Sequence, residues 1–302
     1  MPRVSSSTLG FGTESARRAL VVACQSAGLD HAGAELIRFG ENALFRLVST
    51  PVVVRIARTK DYWSDAVNEV NVAGWLARHG LDAATACDVP QPVDALGHPV
   101  TFWDFIAGRP GGPKDIGTLG AVLRRLHVLP PPTTFALPEE DILGRVGSRI
   151  ETAPVSRDDK QFLTRRLQEL RAQIADLRYP LSPSPTHGDA HSENLMIQDG
   201  KPILIDFERF AWGQPEWDLA MTATEYASAG WWSSSEYQEF SDAYGYDVMS
   251  WDGFPILQAA HELKMTTWLM QNVQESDEIS EEFRVRMRAI RGGRPRETWR
   301  PF

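Results

Sequence analysis

The segment His187 to Glu208, HGDAHSENLMIQDGKPILIDFE, concentrates residues whose types and spacing could do chemistry. Asp189, Asn194 and Asp206 offer two carboxylates and an amide oxygen. The apolar runs Leu195-Met196-Ile197 and Ile203-Leu204-Ile205 flank Asp199-Gly200, so a hairpin is expected. Such a hairpin brings Asn194, ahead of its first strand, near Asp206, at the end of its second. Oxygen donors of this kind suit hard cations and phosphate oxygens, because Mg²⁺ takes few protein oxygens and completes its shell with water and phosphates. Singly the features say less. Asp-Gly between apolar runs is an ordinary hairpin, and an isolated His-Gly-Asp also fits a structural histidine.

These residues need a framework, and the chain of 302 residues is long enough for two lobes or one large domain. Its 42% hydrophobic and 24% charged content are those of an ordinary globular protein. A net charge of −9 argues against non-specific nucleic-acid binding, which needs a basic surface. No apolar run approaches the ~20 residues of a membrane span, and residues 1–15 lack the apolar core of a signal peptide. Cys24 and Cys87 have no metal-ligand spacing, so a reduced, cytoplasmic location is expected and a disulfide is not. Pro130-Pro131-Pro132 and the Pro-rich stretch 181–185 read as loops.

Along the chain, Thr13 to Ala27 has helical spacing (Ala16, Leu20, Ala23), with Thr13 a candidate cap and Gly28 a stop. Three short β-type runs follow between Glu35 and Ile56, then a helix from Tyr62 to His79, then two strands between Pro92 and Ile106 broken at Gly97-His98-Pro99. From Gly108 the pattern is mainly helical: 116–129, 157–177, 217–229, 234–243, 255–273 and 281–290. A β-rich part, residues 1–107, joined to a helical part, residues 108–302, is an α+β organisation in two lobes.

The spacing of His187, Asp189, Asn194 and Asp206 resembles the kinase catalytic loop, in which an Asp is followed five residues later by a metal-binding Asn, with a second metal-binding Asp beyond a hairpin. With Asp206-Phe207-Glu208 in place of Asp-Phe-Gly, it resembles specifically the aminoglycoside phosphotransferase and choline kinase branch. The resemblance implies a bilobal protein-kinase-like fold: a small antiparallel β-sheet lobe with one inserted helix, which binds nucleotide, and a larger helical lobe with the catalytic loop and acceptor site. It implies ATP (or GTP) and Mg²⁺ as cofactors, Asp189 as the catalytic residue that accepts or orients the acceptor hydroxyl, and Asn194 and Asp206 as metal ligands. Gly40, Glu41 and Asn42 would form the loop over the phosphates, although the protein-kinase glycine pattern is absent. Arg55 on the third strand would meet the α- and β-phosphates, held by Glu69. A surface arginine at a strand end is the other reading, and Arg58 leaves the register open. Backbone groups of Trp103, Asp104 and Phe105 would meet the adenine edge, or the segment is an edge strand with aromatic packing. His191 would order the loop; His127 reads as structural.

For the acceptor, residues Asp206 to Asp252 hold ten acidic residues against one basic residue, Arg209, and five tryptophans. Carboxylates with aromatic faces favour a cationic or amino-bearing small molecule: an aminoglycoside or other antibiotic, an amino sugar or an amino alcohol. A solvated acidic face over a Trp-rich core fits equally well. Glu208, Trp231, Trp232 and Glu262 are the acceptor-site candidates, and Asp218 reads as bonded to backbone near the catalytic loop. A role in antibiotic resistance and one in metabolism both fit, as do a monomer and a homodimer. Two other functions remain open: a protein Ser/Thr kinase, disfavoured by the short spacing from Asp206 to Pro215, and a non-catalytic nucleotide-binding protein, disfavoured by the intact Asp189, Asn194 and Asp206.

Overall fold

The computed structural model describes residues 11–40, 42–292 and 299–302. Glu41, assigned above to the phosphate loop, and residues 1–10, part of the segment examined for a signal peptide, lie outside them. By internal contacts the chain divides into two compact units. One is Met1–Arg109 with Met196–Arg209; the other is Pro110–Leu195 with Phe210–Phe302.

The first unit is built on a five-stranded antiparallel sheet: β1 (Glu35–Phe39), β2 (Asn42–Arg46), β3 (Val52–Ala57), β4 (Val93–Ala95) and β5 (His98–Asp104), in the order β1-β2-β3-β5-β4. Strand alternation sorts its side chains between two faces. Val54 and Ile56 of β3 join Phe45 of β2 and Phe102 of β5 in a core with Ala16, Leu20 and Ala23 of α1 (Thr13–Ala27). The helix has the expected bounds, but Gly12 rather than Thr13 sits at its N-cap. Arg55, between Val54 and Ile56, projects to the other face, toward α2 (Trp63–Arg78). The hairpin strands Leu195–Gln198 and Lys201–Leu204 are joined through Asp199 and Gly200, with φ of +51° and +78°. Both central residues of that turn have positive φ, which Asp-Gly supplies at low cost. The sequence reading assigns this hairpin to the second domain. In the structure Met196–Arg209 clusters with the first unit, because Leu204 N donates to Asp82 O (3.0 Å) and Leu204 O accepts from Ala84 N (2.8 Å).

The second unit is mainly helical: α3 (Ile116–Leu126), α4 (Val146–Thr152), α5 (Arg157–Ala175), α6 (Pro215–Thr224), α7 (Ser234–Tyr244), α8 (Phe254–Leu269) and α9 (Asp277–Ile290). A short antiparallel pair, Ser184–Thr186 with Ala211–Gly213, frames the segment between residues 186 and 211. The helix expected over 217–229 is α6 followed by one π turn, Glu225–Ala229. Neither α4 nor the short strand pair is expected from the sequence. Among the described residues no helix is long and apolar enough to cross a membrane.

Helices α3 and α7 pack closely through glycines. A methyl group on Gly120 would collide with the Phe240 carbonyl, whereas one on Gly117 would lie 3.5 Å from Glu239 O, an ordinary contact. Gly120→Ala should therefore cost about 1–3 kcal/mol through overpacking. Gly117→Ala should be neutral or stabilising, since Ala is a better helix former than Gly by about 1 kcal/mol. Thermal melts of the two variants check this; a Gly120→Ala variant as stable as wild type would show that the close approach there does not require glycine.

Candidate active site

In the first unit the charged centre is Arg55. Across the sheet it stands beside Leu44 on β2 and Thr101 on β5. Its guanidinium pairs with Glu69 of α2 and with Glu208, and its Nη1 is 3.4 Å from Asp206 Oδ1. Glu69 is held from its other side by Thr101 Oγ1 (2.7 Å), which in turn accepts from Trp103 Nε1 (2.9 Å). Asn42 Nδ2 donates to Glu208 Oε2 (3.2 Å). Burial opposes the charge on Arg55, but the carboxylates of Glu69, Asp206 and Glu208 outweigh it and hold its pKa above the ordinary value. Burial likewise pushes Glu69 up to about 7, against the pull of Arg55 and Thr101. One guanidinium thus stands among three carboxylates, and a further cation would relieve the excess negative charge.

Asp206 is the most open of the three, 43% exposed, with a left-handed backbone (φ +65°) that few non-glycine residues adopt. An exposed carboxylate in an excess of negative charge suits a hard divalent cation. Among the described residues no three His, Cys, Asp or Glu side chains converge as an all-protein cage, and Mg²⁺ requires none when phosphates and water complete its shell.

The other nucleotide-side candidates are placed as follows. Arg58 donates to Gly40 O (3.1 Å), so of the two arginines it is Arg55 that faces Glu69. A side chain at Gly40 would meet nothing within 4 Å, so the position has no steric need for glycine. Trp103 is buried in β5, and the backbone N–H groups of Asp104 and Phe105 donate to Thr85 O (2.9 Å) and Pro51 O (2.7 Å). Those two donors are therefore committed, which narrows what this segment can present to a base.

In the second unit, Asp218 organises the loop. Its carboxylate accepts from the backbone N–H of His187 (2.7 Å) and of Gly188 (2.8 Å) and meets His127 Nε2 at 3.1 Å. His127 also bonds Tyr244 (3.0 Å), as a structural histidine would. Gly188 has φ +77°, the left-handed turn that starts the loop. Asp189 follows, one third exposed, with Oδ1 accepting from Lys264 Nζ (3.0 Å) and Oδ2 3.6 Å from His191 Nε2. Burial favours its protonation, but Lys264 and His191 outweigh that and hold it well below the usual carboxylate range. The Asn194 amide nitrogen donates to Asp189 O (2.8 Å), which leaves the amide oxygen as an acceptor.

The acidic stretch does not form one surface. Glu208 belongs to the Arg55 cluster, Glu216 and Asp218 are buried, and Glu236 caps α7 by accepting from Ser233. Trp231 donates to Trp299 O (2.6 Å) and Trp232 to buried Glu225 (2.8 Å), while Glu262 accepts from Ser228 (2.6 Å). Burial pushes Glu225 up to about 7 despite the nearby His191. Two residues at this site went unrecognised in the sequence: Glu225, in the π turn, and Lys264, on α8. The signal for Lys264 is that it alone among the residues of α8 is a lysine or arginine, on a helix with many buried positions, since lysine is buried only when paired.

The sequence profile of the phosphotransferase enzyme family matches residues 35–255. Among curated proteins no sequence matches. Solved structures with a similar fold include an amicoumacin kinase in complex with AMP-PNP, Ca²⁺ and Ami (16% identity, 94% of this chain and 95% of that one, TM-score 0.70). They also include choline kinase LicA from Streptococcus pneumoniae (17%, 90% and 98%, 0.64) and an aminoglycoside-3'-phosphotransferase of type VIII (15%, 82% and 99%, 0.61). At these identities the likeness is one of fold, and it bears out the α+β, kinase-like architecture. The family match extends over most of the chain, and by it the protein belongs to the phosphotransferase enzyme family, as a kinase.

Proposed function

We propose that the protein transfers the γ-phosphoryl group of ATP, bound with Mg²⁺, to a hydroxyl of a small acceptor that carries amino groups or another positive charge. The observation that carries the reading is the ion pair of Arg55 with Glu69. It is the strand-to-helix pair that in kinases sets a cation against the α- and β-phosphates. An arginine there can grip phosphate with two parallel hydrogen bonds. Asn194 and Asp206 are the metal ligands in this reading, and Mg²⁺ held there would neutralise charge on the β- and γ-phosphates.

Asp189 accepts a hydrogen bond from the acceptor hydroxyl and aims it. Phosphoryl transfer passes through a loose transition state, so orientation and charge neutralisation matter more than early proton removal. A carboxylate kept ionised is the form that can accept that bond. Asp218, by fixing two successive backbone N–H groups, holds the loop on which Asp189 stands. On the acceptor side, Glu225 and Glu262, with the indoles of Trp231 and Trp232, are the groups suited to an amine. The named neighbours support that chemistry, since choline and aminoglycosides are cations at neutral pH. Following ADP release across hydroxylated amines and neutral sugars tests the reading; turnover of neutral acceptors alone would contradict the charge assignment.

Asp189→Ala and Asp189→Asn are expected to lower kcat at least 100-fold, the usual weight of a positioned acid or base, with ATP affinity nearly unchanged. Residual turnover within tenfold of wild type would remove Asp189 from the reaction. Asp206→Ala should weaken Mg²⁺-dependent nucleotide binding, and Asn194→Ala should do so less. Metal titrations against bound nucleotide check both, and an unaltered Mg²⁺ requirement in the two variants would place the metal elsewhere. The KM of the acceptor should rise with ionic strength more than that of ATP, because charges in an open site are screened over about 10 Å at 0.1 M salt. A KM indifferent to salt would sink the cationic assignment.

A further inference from the structure

Lys264 stands on α8, a helix whose Leu257, Ala260, His261, Leu263, Thr266 and Thr267 are buried. Its side chain is 20% exposed, and its Nζ lies 5.5 Å from the centre of the Trp217 ring. A lysine so largely removed from water needs partners. Among the described residues it has two hydrogen-bond acceptors, both on the catalytic loop: Gly188 O at 3.1 Å and Asp189 Oδ1 at 3.0 Å. The two oxygens of Asp189 are thereby made unequal. Oδ1 is tied to a cation on a rigid helix, while Oδ2, among the described residues, meets the His191 ring at 3.6 Å, beyond hydrogen-bond length.

We infer that Lys264 is a positioning residue for phosphoryl transfer: it anchors Asp189 through Oδ1 and the loop through Gly188 O, so that Oδ2 is presented to the acceptor hydroxyl. This rests on the reading of Asp189 given above. A carboxylate free to rotate would exchange its two oxygens and lose the aim of the hydroxyl, and misplacement by about 1 Å costs on the order of 100-fold in rate. Anchoring from α8 also differs from anchoring by the loop itself, because helices hold a functional group more tightly than loops do.

The test uses the full-length chain and the variants Lys264→Met, Lys264→Gln and Lys264→Arg, with Asp189→Asn as reference. ADP formation is followed with ATP and Mg²⁺, using kanamycin, choline and water as acceptors, and ATP binding is measured by calorimetry. Lys264→Met and Lys264→Gln should lower kcat at least tenfold with every acceptor that wild type uses, while ATP Kd stays within twofold. Lys264→Arg, which keeps the charge and two donors, should recover to within threefold of wild type. Turnover within twofold of wild type in the Met and Gln variants, with Asp189→Asn inactive, would overturn the inference. So would a parallel loss of ATP binding, a failure of Arg to restore activity, or a failure of both neutral variants to fold, each of which assigns Lys264 to stability. If Asp189→Asn stays active, or wild type does not bind ATP with Mg²⁺, the proposed function itself fails first.

Discussion

The first unit of this protein depends on one constraint: a largely buried guanidinium must be balanced by carboxylates that arrive from separate elements. Arg55 is on β3, Glu69 on α2, and Asp206 and Glu208 follow the hairpin. Breaking a buried pair by removing one partner costs about 3–5 kcal/mol, because the remaining charge is left unpaired. The strand alternation that buries Val54 and Ile56 against α1 is what turns Arg55 to the opposite face. The backbone bonds from Leu204 to Asp82 and Ala84 then bring the hairpin's end to the same place. Core packing and site geometry are thus set by the same few strands.

The second unit solves a similar problem with the signs reversed. Asp218 has no exposure, and its negative charge is met by His127 and by two backbone N–H groups. Hydrogen bonds to an ionised carboxylate are stronger than neutral ones, which is why a buried Asp can hold a loop. Its pKa is accordingly lowered, burial being outweighed by His127 and the loop's donors. Asp189 is then held on one oxygen by Lys264. Each fixed contact removes a conformational freedom of the loop.

Most of the elements were legible in the sequence because their apolar periodicity is strong. α1 has the expected bounds, α2 differs by one residue at each end, and the Asp199-Gly200 turn is where its residues put it. What periodicity cannot show is where polar side chains end up. The acidic stretch after Asp206 reads as one charged surface, but burial divides it: Glu216 and Asp218 go inside, Glu208 joins Arg55, and Glu236 caps a helix. Lys264 is separated from Asp189 by 75 residues, and a long-range ion pair leaves no local pattern in the sequence. The strands Ser184–Thr186 and Ala211–Gly213 are too short to show alternation, and Pro185 interrupts the first.

On the proposed reading, one arginine among three carboxylates would accept a nucleotide only in company with a divalent cation. Calorimetric titration of ATP into the wild-type protein, with Mg²⁺ and with the metal chelated, tests it most directly. Net negative charge should repel free ATP, so binding is expected to be at least tenfold tighter with Mg²⁺, a difference of about 1.4 kcal/mol. Equal affinity in the two conditions would contradict the account.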